Sequence, residues 1–148
     1  MSFSFIHFYI VAICTIIAYT AYNTSSRELI TMVYYDNPLQ LHNILPKFNG
    51  IHTKPKQIQN ALHKYEYIHS IWVYSNNHKY AIMRNNIYDI PSKMHYTFEQ
   101  FMNNTKGKMN AQYSQPFVDN VITKSVFIPC VYRPHNDYCI VAMLPLLS

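Results

Sequence analysis

The chain has 148 residues, with 12 Lys and Arg against 7 Asp and Glu, which gives a net charge of +5 and a pI near 9.1. That length suits one domain with a modest core and excludes two independently stable ones. The only glycines are Gly50 and Gly107, which excludes the glycine-rich phosphate loops, the dinucleotide fingerprint and the GxSxG nucleophile elbow.

Residues 3–22, FSFIHFYIVAICTIIAYTAY, contain no acid, lysine or arginine. An apolar run of about twenty residues at roughly 1.5 Å rise matches the roughly 30 Å core of a bilayer. Aromatic residues at both ends suit the two membrane interfaces. The absence of a basic start and the poor cleavage site after Thr20 favour a retained anchor over a removed signal peptide. The expected organisation is therefore an N-terminal transmembrane anchor over 1–22, a neck and first strand over 23–36, and an ectodomain over 37–148.

Within the neck, Leu29 to Tyr35 is β-branched and aromatic, which predicts an extended segment. Pro38 opens a short helix to about Leu45, with Asn37 as its cap, and Pro46 ends it. Thr53 and Pro55 begin the best soluble helix, predicted over 55 to 65, because Ile58, Ala61, Leu62 and Tyr65 recur at helical spacing along one face. Ile68 to Tyr74 alternates as a strand, Asn76-Asn77 turns, and Lys79 to Met83 returns to make a hairpin centred on Trp72. Ile87 to Ile90 predicts a brief strand. Thr97 and Gln100 resemble a capping box for a short helix, Phe98 to about Asn103. Asn103-Asn104-Thr105 matches the N-glycosylation pattern in a loop-like setting, making Asn103 a weak candidate.

The last stretch predicts a hairpin, Val121 to Tyr132 and Tyr138 to Leu144, around Arg133-Pro134-His135-Asn136-Asp137. If Arg133 to Asn136 forms a four-residue loop, Cys130 faces Cys139 and the two can bridge. A disulfide closing so short a loop contributes about 2 to 3 kcal/mol by the chain-entropy estimate and implies an oxidising compartment. The alternative is two reduced, buried thiols. Pro129 lacks a ladder donor and predicts an edge or a bulge.

Catalytic and metal chemistry find little support in the sequence. No histidine sits in HExxH, HxH or zinc-finger spacing, and Cys130, Cys139 and His135 would supply only three ligands, so no metal and no cofactor are expected. The acids are spread singly, and Cys130, His135 and Asp137 cannot converge on one atom from a tight turn, so no catalytic residues are assigned. Lysines and arginines form no dense run, which argues against a nucleic-acid partner.

Several blocks together carry a resemblance: LPKFNGIHTKPKQIQNALHKY over 45–65, IHSIWVYSNN over 68–77, IPSKMHYTFEQF over 90–101, and IPC at 128–130 followed by a second cysteine. With the N-terminal apolar run, this layout resembles the small baculovirus and nudivirus per os infectivity factor often numbered four. The resemblance implies a non-enzymatic structural subunit of a multi-protein viral complex for oral infection of insect midgut cells. Its partners would be other per os infectivity proteins of the virion envelope, assembled as a hetero-oligomer, and a lipid bilayer held through residues 3–22. It also implies single-pass residence in the envelope or a host-derived membrane, with the C-terminal domain in an oxidising or extravirion space. No nucleic acid and no small-molecule substrate are expected. The expected fold is α+β: the transmembrane helix, then one small domain whose antiparallel sheet is crossed by helix 55 to 65, with two or three short helices in all. Partner contacts are expected at Tyr34 and Tyr35 near the neck and at Tyr132, Arg133 and His135 in the terminal turn. The competing readings are a membrane-tethered hydrolase, which requires a pocket with convergent polar groups, and a basic nucleic-acid-binding module, which requires aligned cations and aromatic platforms.

Overall fold

The structure, a computed structural model, describes residues 9–17 and 38–146. It divides into two units, Met1–Leu39 and Gln40–Ser148. In the first unit, residues 9–17 form helix α1, where the Thr15 hydroxyl donates to the Val11 carbonyl at 2.9 Å. At 1.5 Å rise, the nine described residues account for about 14 Å of helix, against the roughly 30 Å of a bilayer core. Among the described residues no helix is long and apolar enough to cross a membrane. This corrects the expected transmembrane helix over 3–22, and with it the single-pass envelope location. Tyr34 and Tyr35 lie outside the described residues.

The second unit is a small α+β domain. Helix α2 (Pro38–Ile44) tightens into a 3-10 turn (Leu45–Phe48) at Pro46, as a proline that cannot continue the α-helical ladder dictates. Helix α3 (Pro55–Leu62) buries Ile58 and Leu62. It is shorter than its apolar spacing predicts, and Lys54 stands at its cap without a side-chain bond. Strands β1 (Ser70–Ser75) and β2 (Lys79–Met83) make the expected hairpin, and β3 (Ile87–Asp89) adds its outer edge. Helix α4 (His95–Asn104) starts at a 3-10 turn (Ser92–Met94), so Thr97 lies inside the helix and caps nothing. Strands β4 (Gln112–Tyr113) and β5 (Phe117–Asp119) are short, while β6 (Ser125–His135) and β7 (Tyr138–Pro145) are long.

All pairing is antiparallel, in the order β3-β2-β1-β7-β6-β4, with β5 also on β6. The first and last hairpins thus meet at the centre, β1 against β7. Both central strands are buried along nearly their whole length, which requires cover on both faces of the sheet. Helix α3 packs on β1 and β2, the 3-10 turn after α2 packs on β6 and β7, and α4 packs on β7. The α4 face holds Trp72, Tyr74, Cys139, Val141 and Met143 with Phe98, Phe101, Phe117 and Phe127. Alternation along the strands puts Ile71, Val73, Ile82, Cys130, Ile140 and Ala142 on the other face.

Proline explains the broken edge. The Pro129 carbonyl accepts from the Ser114 amide at 3.0 Å, so the same residue's missing donor faces the β4–β5 side. Pairing stops there, between Tyr113 and Phe117, where Pro116 also lacks a donor. The expected edge or bulge at Pro129 is not there: the residue sits in regular register with Met143 on an interior strand, at the gap between β4 and β5 in the neighbouring ladder.

The expected disulfide is corrected. The hairpin turns on Asn136-Asp137, with His135 opposite Tyr138 and a register irregularity between Tyr132 and His135. Pro134 is taken into the strand as part of that irregularity and does not break it. Cys130 consequently pairs with Ala142, while Cys139 pairs with Tyr74 of β1. Since Cys139 and Ala142 are an odd number of residues apart on β7, the two sulfurs point to opposite faces, and both thiols are free and buried.

Candidate functional site

Three of the sequence-predicted contact residues come together. Tyr132, Arg133 and His135 line a depression of about 310 Å³ with Pro134, Asn136, Thr105, Gly107, Lys108 and Met109. One wall is the β6–β7 turn, and the other is the loop leaving α4. Arg133 ties the two: one terminal nitrogen donates to the Met102 carbonyl in the last turn of α4 at 2.8 Å, the other to the Asn136 carbonyl at 2.7 Å. Both acceptors are neutral, and the Arg133 Nε–H is buried without an acceptor.

Beside this depression lies a cluster that spacing alone did not reveal. Tyr138 meets two rings, His52 stacked at 3.7 Å and 10° and His135 tilted at 5.4 Å. Its hydroxyl donates to the Asn49 side-chain oxygen. Burial raises the Tyr138 pKa, with Tyr132 and Asp137 acting the same way. Burial lowers that of His52; the neighbouring His78 and His135 act in the same direction and Asp137 opposes them. The residues come from three loops distant in sequence, which explains why no motif announces them. Among the described residues no group of three or more His, Cys, Asp or Glu is placed to hold a metal ion.

Other polar groups are engaged in structure. Trp72 Nε1 donates to Ser70 Oγ at 2.9 Å, and His69 Nδ1 lies 3.2 Å from the same oxygen. Ser70 is fully buried, so this serine–histidine pair has no route to a substrate. The Tyr74 hydroxyl donates to Glu99 at 2.6 Å, and burial together with that carboxylate raises the Tyr74 pKa strongly. Asp119 closes the β5–β6 connection: its oxygens accept from the amides of Val121, Ile122 and Thr123 and from the Thr123 hydroxyl. Burial pushes its pKa up, but these donors together outweigh it and the net shift is downward. Burial pushes Cys130 and Cys139 up to about 12, where neither is a thiolate nucleophile at neutral pH. Asn103 sits exposed in the last turn of α4, not in a loop, and the Thr105 of its sequon is buried with its hydroxyl donating to the Phe101 carbonyl at 2.7 Å.

A second surface is apolar. Val118 of β5 and Val126 of β6 are register partners, and the Leu146 amide donates to the Val126 carbonyl. Partners across a ladder share a face, so these side chains form a row at the split edge of the sheet, exposed by 55%, 36% and 44% respectively. Phe117 and Phe127, the adjacent pair, point the other way into the aromatic core. Val121, 37% exposed, joins Val118 in lining a depression of about 310 Å³ bounded by Lys93, Met94 and Thr97.

The topology and these sites define a two-faced α+β sheet domain. Its fold is similar to part of the Bacillus subtilis YkuI protein, which has an EAL domain and was crystallised with its substrate c-di-GMP and calcium: TM-score 0.51, 13% identity, 88% of this chain and 37% of that one. This chain spans little more than a third of that neighbour, and at such identity the likeness concerns the fold alone. No family model and no curated protein matches the sequence.

Proposed function

We propose that this chain is a non-catalytic assembly subunit of a hetero-oligomeric complex, of the kind its resemblance to the per os infectivity factors implies, working in oral infection through contacts with other subunits of that complex. The observation that carries the reading is the exposed row Val118, Val126 and Leu146, an aliphatic surface beside a sheet edge whose ladder is interrupted. Burial of such a row against another subunit returns about 25 cal/mol per Å² of apolar area removed from water. The polar groups most suggestive of chemistry, Ser70 with His69 and the two thiols, are buried or held in the protonated state, which supports a role without catalysis.

The test is affinity recovery of the tagged chain from infected cells, as wild type and as the Val118→Glu/Val126→Glu double variant, with the co-eluting chains identified and quantified. A fixed set of per os infectivity proteins in constant ratio, lost from a double variant that keeps its circular-dichroism spectrum, is the expected result. Elution of the wild-type chain alone, or an unchanged set with the variant, overturns the proposal.

A further inference from the structure

We infer that the depression between the β6–β7 turn and the loop leaving α4 binds the dianionic phosphate of a monoester. Two side chains of full positive charge, Lys108 and Arg133, line it, and no acidic residue does. Asp137, in the same turn, is not among the lining residues. A phosphate monoester carries about −1.5 to −2 at neutral pH and accepts through three oxygens, which matches two cations with the Tyr132 hydroxyl, the His135 imidazole and the Asn136 amide as further lining groups. A carboxylate would leave one cation unmatched.

Arg133 is held in place before any ligand arrives. Its terminal nitrogens are fixed by the Met102 and Asn136 carbonyls, so little rotamer freedom is lost on binding. The guanidinium is also one acceptor short, because its Nε–H is buried with no partner. Gly107, at φ +76, supplies the left-handed backbone conformation with which the opposite wall turns.

The test is a titration of the full chain at constant ionic strength, following amide NMR shifts and the melting temperature. Inorganic phosphate, O-phosphoserine, acetate and chloride are the probes. The expected result is saturable binding of both phosphates, with shifts confined to residues around 105–109 and 132–136. Lys108→Gln, at an exposed loop position, should weaken that binding about fivefold without changing the melting temperature of the free protein. Phosphoserine binding without inorganic phosphate binding would still place a monoester there and supports the inference. Equal responses to acetate or chloride, or an affinity unchanged in Lys108→Gln, overturn it. The aliphatic row is untouched by this variant, so failure here leaves the assembly reading standing, and failure of assembly leaves this one.

Discussion

The two faces of the sheet are buried to the same depth but built from different materials. Toward α4 the core is aromatic: Trp72 stacks on Phe98 at 5.5 Å and meets Phe117 edge-on at 5.5 Å, and Phe98 meets Phe101 edge-on at 5.2 Å. Toward α2 and α3 it is mainly aliphatic, with Leu41, Leu45, Ile58 and Leu62 buried on the helices opposite the alternate strand residues and Phe48 and Tyr138 as its buried rings. The aromatic side is also pinned by polar bonds, Trp72 to Ser70 and Tyr74 to Glu99. Rings with fixed partners specify one arrangement, whereas aliphatic side chains of similar volume can exchange with little loss. The α4 face therefore sets geometry, and the α3 face supplies bulk burial.

The largest effect expected from breaking this contrast is at the ring cluster. Trp72→Ala removes the centre of the cluster and the indole donor to Ser70; urea unfolding should show a loss of about 3 to 5 kcal/mol. Ile82→Val, on the aliphatic side, should cost about 0.5 to 1.5 kcal/mol in the same assay. Equal losses would show that the faces do not differ in this way.

Next in size is Asp119→Ala, which strands the Val121, Ile122 and Thr123 amides beside the aromatic Phe117 and should cost about 2 to 3 kcal/mol. Because the folded pKa of Asp119 lies below its ordinary 3.8, the unfolded chain takes up the proton first as the pH drops. The stabilisation is thus complete above that ordinary value and is lost as pH falls through the folded one. An Asp119→Asn variant should flatten this acid limb in a series of melts; a limb of unchanged slope would assign it to another group.

A smaller effect belongs to His52. Its folded pKa is lowered from 6.5 by burial first and by His78 and His135 next. The unfolded chain again binds the proton more readily, so stability present above 6.5 declines as pH falls toward the folded value. His52→Phe keeps a ring on Tyr138 and should reduce the decline between pH 6.5 and 5. His69, lowered by burial and by Arg84, contributes with the same sign and sets the remainder.

The smallest effect separates the thiols. With Cys130 and Cys139 on opposite faces, a reducing agent should leave the melting temperature of the protein unchanged, and thiol reagents should label neither residue in the folded state at pH 7. A drop in melting temperature under reduction would restore the bridge and the register it needs.

The sequence revealed those parts of the fold whose signal is local. The spacing of Ile58, Ala61 and Leu62 gave α3, and the alternation around Trp72 gave the first hairpin. Tyr132, Arg133 and His135 could be placed together because they are neighbours in one turn. What was missed depends on distance along the chain. The other wall of their depression, Thr105 to Met109, arrives from α4, and the His52 ring on Tyr138 crosses from another connection. The cysteine pairing failed for a local reason: Pro134 suggested the end of a strand, and the chain absorbed it as an irregularity, which moved every later pair. The apolar run over 3–22 was read from composition as a membrane span, an expectation that the described helix does not meet.

The central pairing of β1 with β7 has a consequence for biosynthesis. Each hairpin can close by itself, but the middle ladder joins residues around 70–75 to residues around 138–143, a long separation that slows folding. On a ribosome, the first hairpin and its helices must wait with one flank of β1 unsatisfied until the final strand emerges. A nascent chain stalled before Tyr138 should remain open to protease along β1, and release of the last dozen residues should close it in one step.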